Sequence, residues 1–223
     1  MNNKIKIYFI RHSKLDLPYE NHLKMPYEIL DDLATSRLDP SIAKNSKKLF
    51  LEATEGLPLK DVDIIYFNNS NFQSKRSKES AFLIDKILKE RYNKKVPILG
   101  SPNLKEIDFS LKDILPKAKF LKQGMLAVRT ALYNAIINQG PVEQIDHIYK
   151  RTKSVFKILK KHQAKNQTIM LVSHDFYMRA VEVYLQKSKN YRAVTVNDLE
   201  KTILNTYFKG FGTSYNLKLF KRF

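Results

Sequence analysis

Two short apolar runs, one near the start of the chain and one far downstream, each lead into a histidine. Ile5-Lys6-Ile7-Tyr8-Phe9-Ile10 leads into Arg11-His12, and Thr168-Ile169-Met170-Leu171-Val172-Ser173 leads into His174. Apolar runs of this length between polar segments read as buried strands. A strand that ends in Arg-His delivers a cation and an imidazole together at the edge of a sheet, which is useful chemistry where something anionic binds. One histidine at a strand end is more often a hydrogen-bonded loop residue than a catalyst. Two strand-then-histidine units change that weight, because they imply two imidazoles facing each other across one pocket.

The segments between them alternate. Residues 63–67 and 96–99 read as further strands, and Asp39-Pro40 as a helix start, a capping carboxylate followed by proline, opening a helix to about residue 53. Ser74 is placed to cap a helix to about 91, with Ala81, Ile84, Ile87 and Leu88 on its buried face. Two long helices are expected at about 116–138 and 142–162, separated at Gly140-Pro141. A helix at 176–186, another at 197–208 and a closing strand at 214–220 complete the order. Residues 14–37, with Pro18 and Pro26, read as irregular chain over the mouth of the pocket. Strands alternating with helices imply an α/β three-layer sandwich: a mainly parallel central sheet with helices on both faces. Ligands in such sheets bind beyond the carboxyl ends of the strands, where His12 and His174 would lie.

The chain of 223 residues is long enough for one well-packed domain, expected over 1–223 with a helical insertion at about 110–165. Six Gly, eight Pro and 43% hydrophobic residues argue against disorder or low complexity. No signal-like core follows Met1, and no window approaches the roughly 18 apolar residues of a membrane helix. The expectation is a soluble, cytoplasmic protein without membrane contact; its oligomeric state is not legible. With no cysteine, disulfides, thiolate catalysis and Cys-based metal sites are excluded. The net charge of +18 would attract anions, from phosphate esters to nucleic acid. The basic residues are mostly lysines, 31 against 9 arginines, and they are spread along the chain without a nucleic-acid-binding motif. A solvated basic surface is therefore the stronger reading, and dedicated nucleic-acid binding the weaker one.

Two further charged residues stand in suitable contexts: Arg76, in Arg76-Ser77-Lys78-Glu79-Ser80-Ala81 at the start of a helix, and Glu106, in Leu104-Lys105-Glu106. With Arg11-His12-Ser13 and Ser173-His174-Asp175, four short motifs follow one another in order, and the chain in this respect resembles the histidine phosphatase superfamily, the phosphoglycerate mutase-like proteins. That family's motifs are similar to Arg-His-Gly, Arg-Ala-x-x-Thr-Ala, Leu-x-Glu and Ser-His-Gly. The resemblance implies His12 as a nucleophile that becomes phosphorylated, Glu106 as general acid and then base, and His174 as a catalytic hydrogen-bond donor. It implies Arg11, Arg76 and His174 as the phosphate-binding set, with no metal and no organic cofactor. The chemistry fits the residue types. Guanidiniums spread the charge that makes a phosphate monoester resist nucleophiles, and nearby positive charge favours a neutral, nucleophilic imidazole.

Ser13 and Asp175 stand where the family's motifs have glycine. Asp175 is expected to cap the helix that follows it. Asp108 competes with Glu106 for the role of acid, while His22, His147 and His162 read as surface or helix residues. The leading reading is a phosphatase acting on a small phosphorylated substrate. A binding or regulatory protein with weak turnover and a basic nucleic-acid-associated protein are the alternatives, and a phosphoglycerate mutase is less favoured.

Overall fold

Alternating apolar side chains along the strands decide the layering. The computed structural model describes residues 5–19, 25–187, 193–201 and 210–215. Its strands are β1 (Ile5–Arg11), β2 (Val62–Phe67), β3 (Ile98–Gly100), β4 (Thr168–Ser173) and β5 (Gly210–Tyr215). They lie in the order β3-β2-β4-β1-β5. The first four are parallel to their neighbours, and β5 runs antiparallel along β1. The helices are α1 (Tyr27–Ala34), α2 (Ser46–Ala53), α3 (Ser74–Tyr92), α4 (Leu111–Ile114), α5 (Lys117–Gln123), α6 (Met125–Ile137), α7 (Ile145–Gln163), α8 (Asp175–Lys187) and α9 (Val196–Glu200).

Ile7 and Phe9 of β1 share one core with Ile169 and Leu171 of β4 and with side chains of α6, α7 and α8. Tyr8 and Ile10 point the other way, into a second core with Met170, Val172, Phe50 of α2 and Ala81, Ile84 and Leu88 of α3. This is the expected mainly parallel sheet with helices on both faces. Every residue of β4 is buried, as a central parallel strand requires. Among the described residues no helix is long and apolar enough to cross a membrane.

Several local expectations give way to tertiary partners. The helix expected from Asp39-Pro40 begins only at Ser46, because the Asp39 carboxylate is engaged elsewhere. It accepts from the Lys75 amide at 2.9 Å and from Arg76 Nε at 2.8 Å, so it caps α3 rather than a helix of its own. Ser74, the expected cap, is instead the first helical residue, after Gln73 with its left-handed φ of 51°. The segment 14–37 is not wholly irregular. Pro26, extended at the N-cap, starts α1, a role its fixed φ and missing N–H allow. The expected helix at 116–138 breaks at Gly124, whose φ of 60° and ψ of −145° suit a residue without a Cβ. The second long helix begins at Ile145 rather than at 142. The closing strand is Gly210–Tyr215, earlier than expected, and residues 216–220 of the expected last strand and 202–208 of the expected last helix lie outside the described residues.

Asp31 joins α1 to α4. Its Oδ1 accepts from the amides of Leu111 and Lys112 at 2.7 and 3.3 Å, and its Oδ2 pairs with Arg37 at 2.5 Å and Lys112 at 3.4 Å. Burial pushes its pKa up, but Arg37, these amides and Lys112 outweigh burial and hold it below the ordinary value. A depressed carboxyl pKa stabilises the fold above the unfolded-state value, and that gain is lost as pH falls through the folded value. Asp31→Ala should therefore lose about 1–3 kcal/mol at neutral pH. In urea melts the gap to the parent should close below about pH 4; a gap independent of pH would show that the carboxylate's charge is not the cause.

Candidate active site

Parallel pairing of β1 with β4 sets the register Arg11 opposite Ser173, and the pairing continues one residue further, with the His12 amide donating to the Ser173 carbonyl at 2.9 Å. His12 and His174 thus leave adjacent strand ends side by side, with ring centroids 5.0 Å apart and ring planes inclined at 58°. Both are buried. His12 Nδ1 lies 2.7 Å from the Ser13 carbonyl, which can only accept, so Nδ1 carries the proton and Nε2 keeps the lone pair. Burial, then His174, Arg76 and Arg11, push the His12 pKa well below its ordinary value. The ring is neutral at physiological pH.

The tautomer of His174 is decided by Asn68, just after β2. Asn68 Oδ1 accepts from the amide and hydroxyl of Ser70, which orients its amide nitrogen toward the Phe72 carbonyl at 2.7 Å and His174 Nε2 at 3.2 Å. Nε2 is then the acceptor and Nδ1 bears the proton. Nδ1 is buried without a hydrogen-bond partner. Burial and the charges of Arg76, Arg11 and Arg151 keep this ring neutral as well.

Arg11, His12, Arg76 and Glu106 all line one cavity of about 280 Å³, whereas His174, beside His12, is not part of its lining. Asp39 and the Leu38 carbonyl hold the Arg76 guanidinium at 2.8 and 3.3 Å. The two serines after Arg76 are structural. Ser77 accepts from the Asn68 amide and donates to the Val172 carbonyl, while Ser80 accepts from the Ser13 amide. The Ser13 hydroxyl turns away from the cavity, donating to Ser46 at 2.6 Å.

Glu106 occupies the place expected of Asp175. The free amides at the start of α8 are capped by Glu106: Oε1 accepts from Tyr177 at 2.7 Å and Oε2 from Phe176 at 3.2 Å, while Oε1 also accepts from Ile107 at 2.9 Å. The expectation that Asp175 caps this helix is corrected. Its carboxylate pairs instead with Arg179 at 3.2 Å and lines the cavity. Burial drives the Glu106 pKa up to about 7; its three amide donors oppose that shift and the nearby Asp175 charge adds to it. Asp108, the rival acid, pairs with Lys105 and does not line this cavity.

Sequence reading missed Asn68, Asp39 and, most of all, Arg151. Arg151 forks onto Glu143 at 2.8 and 2.9 Å and donates to the carbonyls of Asn103, Lys105 and Glu106 at 3.0, 2.7 and 3.4 Å. Its guanidinium lies 3.7 Å from the centre of the Tyr177 ring. With the Ser173 hydroxyl on the Leu104 carbonyl, it fixes the loop that carries Glu106. Glu143 lies before α7 and Arg151 within it, eight positions apart, so no local helix rule links them. His162 bonds Tyr66 and Gln167 away from the cavity and His147 is exposed on α7, while His22 lies outside the described residues.

A sequence profile of the histidine phosphatase superfamily (branch 1) matches residues 7–212. Among solved structures, a mycobacterial glucosyl-3-phosphoglycerate phosphatase in complex with VO3 is 17% identical, with a TM-score of 0.58 over 90% of this chain and 87% of that one. A phosphoglycerate mutase from Bacillus anthracis str. Sterne is 17% identical, with a TM-score of 0.55 over 96% and 92%. These likenesses concern the fold. A protein of Borreliella burgdorferi named an oligoendopeptidase F homolog is 22% identical over 227 residues; the match takes in 95% of this chain but only 36% of the length of that relative.

Glu106 should titrate in the folded protein near pH 7, readable from its side-chain carboxyl carbon by NMR. Asp175→Asn removes a neighbouring negative charge and should move that midpoint to lower pH. A midpoint near the ordinary glutamate value of roughly 4.3 in the parent would refute the burial argument.

Proposed function

The chain belongs to the histidine phosphatase superfamily, and on that premise we propose that it hydrolyses a small phosphate monoester through a phosphohistidine on His12. The observation that carries this reading is one cavity lined by Arg11, His12, Arg76 and Glu106, with the His174 ring 5.0 Å from that of His12. The phosphatase named among its structural neighbours adds support. The mutase among them marks the alternative within the same fold.

In the first step the Nε2 lone pair of His12 attacks phosphorus, and the bond from phosphorus to the ester oxygen breaks. Arg11 and Arg76 bind the phosphoryl oxygens, and the Nδ1 proton of His174 hydrogen-bonds one of them as charge shifts toward the leaving oxygen. Glu106 donates its proton to that oxygen, so that an alcohol departs. Its Oε1 already accepts from two amides and its Oε2 from one, at the longer distance of 3.2 Å, which makes Oε2 the oxygen that carries the proton. In the second step the Glu106 carboxylate takes a proton from water, the oxygen attacks the phosphohistidine, and phosphate leaves with His12 and Glu106 restored. A pKa of about 7 suits a group that must give and then take a proton near neutral pH. A second reading, phospho-ligand binding with weak turnover, is favoured by the Asp175 carboxylate in the cavity wall; steady phosphate release over many turnovers would exclude it.

Rapid quenching with a phosphorus-labelled ester should trap an acid-labile, base-stable phosphoenzyme in the parent and none in His12→Ala. Equal labelling of both would remove His12 from the role.

Glu106→Gln should slow alkyl esters about 10²–10⁴-fold, the usual worth of a positioned acid. The loss should be smaller for nitrophenyl phosphate, whose leaving group needs no proton. Equal losses on both esters, or a larger loss in Asp108→Asn, would overturn the assignment of the acid.

A further inference from the structure

The cavity extends well beyond the space a phosphoryl group needs, and its apolar wall has a different chemistry from its catalytic groups. Leu30 and Leu33 of α1, Phe109, Leu111 at the start of α4, Val128 of α6 and Phe176 of α8 form that wall. All but Phe176, which is partly buried, are shielded from solvent to the degree of core residues. Their positions are set by contacts with one another and with residues behind them. Phe109 meets Phe176 edge-on at 5.8 Å, Tyr133 meets Phe176 edge-on at 6.0 Å, and Asp31 ties α1 to the Leu111 amide. The apolar chamber is therefore preformed.

Polar groups that could recognise a hydroxylated or acidic substrate are few there. The Gln73 amide nitrogen is spent on the carbonyls of Leu33 and Ala34, at 2.8 and 3.3 Å. Asp175 is paired with Arg179, and Arg129 is the other charged side chain of the lining apart from the catalytic groups. A sugar hydroxyl brought against the leucine, valine and phenylalanine side chains would give up its water without gaining an equivalent partner. An alkyl or aryl group would release water from apolar surface on both sides.

On the phosphatase reading above, we infer that the substrate is a small phosphate monoester of an apolar alcohol, with its alkyl or aryl portion seated between α1, α6 and the start of α8. Sugar phosphates and phosphorylated hydroxy acids are poor substrates by the same chemistry.

Two measurements test this, one with turnover and one without. In phosphate-release assays kcat/KM should rise about three- to fourfold per methylene from propyl to hexyl phosphate. Hexyl phosphate should exceed glycerol 3-phosphate, 3-phosphoglycerate and glucose 6-phosphate by at least about tenfold. In calorimetric titrations, which need no catalysis, hexylphosphonate should bind at least about tenfold more tightly than methylphosphonate. Val128→Thr, nearly isosteric but polar, should narrow the hexyl-to-propyl ratio, with a thermal melt verifying that the variant is folded. A polar ester turned over as well as hexyl phosphate would overturn the inference and leave the phosphatase reading standing. Equal binding of the two phosphonates, or an unchanged ratio in folded Val128→Thr, would also overturn it. Tight, chain-length-dependent phosphonate binding with no phosphate release from any ester would uphold the apolar chamber and bring down the phosphatase reading instead.

Discussion

Six consecutive residues of β1 pair in parallel with six of β4, and the candidate site hangs from that pairing. The register is constrained on both faces, because a slip of one residue would exchange Ile7 and Phe9 with Tyr8 and Ile10 between two different cores. The burial that stabilises the sheet therefore also fixes where the two histidines emerge. Asn68 at the end of the neighbouring β2 then sets the protonation of His174, and the Ser13 carbonyl sets that of His12. The His12 tautomer thus follows from a backbone carbonyl, and that of His174 from a side-chain amide held in place by Ser70 and the Phe72 carbonyl.

Glu106 brings a competition of forces. It receives three amide donors, two from the start of α8 and one from Ile107, an arrangement that favours the carboxylate. Burial favours the neutral acid and prevails, carrying the pKa from 4.5 to about 7. Holding that carboxyl so far above its unfolded value costs stability as pH rises from 4.5 through about 7, on the order of 3 kcal/mol once the group is ionised. Such a cost is sustained only if surrounding structure holds the group in place. Arg151, anchored by Glu143 and clasping three carbonyls of the 103–106 loop, supplies that hold.

The buried arginines share one solution. Arg76, Arg151 and Arg179 each lie out of solvent against a carboxylate, Asp39, Glu143 and Asp175 respectively. Unpaired, each would carry a prohibitive desolvation cost. With Nε on Asp39 and one terminal nitrogen on the Leu38 carbonyl, Arg76 is held at the cavity with its other N–H groups left for an oxyanion. The large positive charge of the chain belongs mainly to lysines, whereas the work near His12 is assigned to arginines, whose fork suits oxyanions.

The amino-acid sequence by itself determined what depends on local pattern. An apolar run ending in Arg11-His12, a second ending in Ser173-His174, and Arg76 and Glu106 in order between them sufficed for the alternating α/β architecture and for four of the groups at the cavity. Strand and helix periodicities, and residues adjacent to strand ends, are written in consecutive positions. The partners of those groups are not. Asp39 meets Arg76 across 37 positions, and Glu106 meets the Tyr177 amide across 71. Local rules assigned Asp39 to a helix of its own and Asp175 to the cap of α8. Asp39 instead meets donors 36 and 37 positions away, and the amides at the start of α8 go to Glu106, which leaves Asp175 with Arg179 four positions on. The break at Gly124, the apolar wall and the raised pKa of Glu106 likewise exist only once separate elements pack together. Burial and long-range hydrogen bonding are properties of the folded surroundings, and only the tertiary structure decided them.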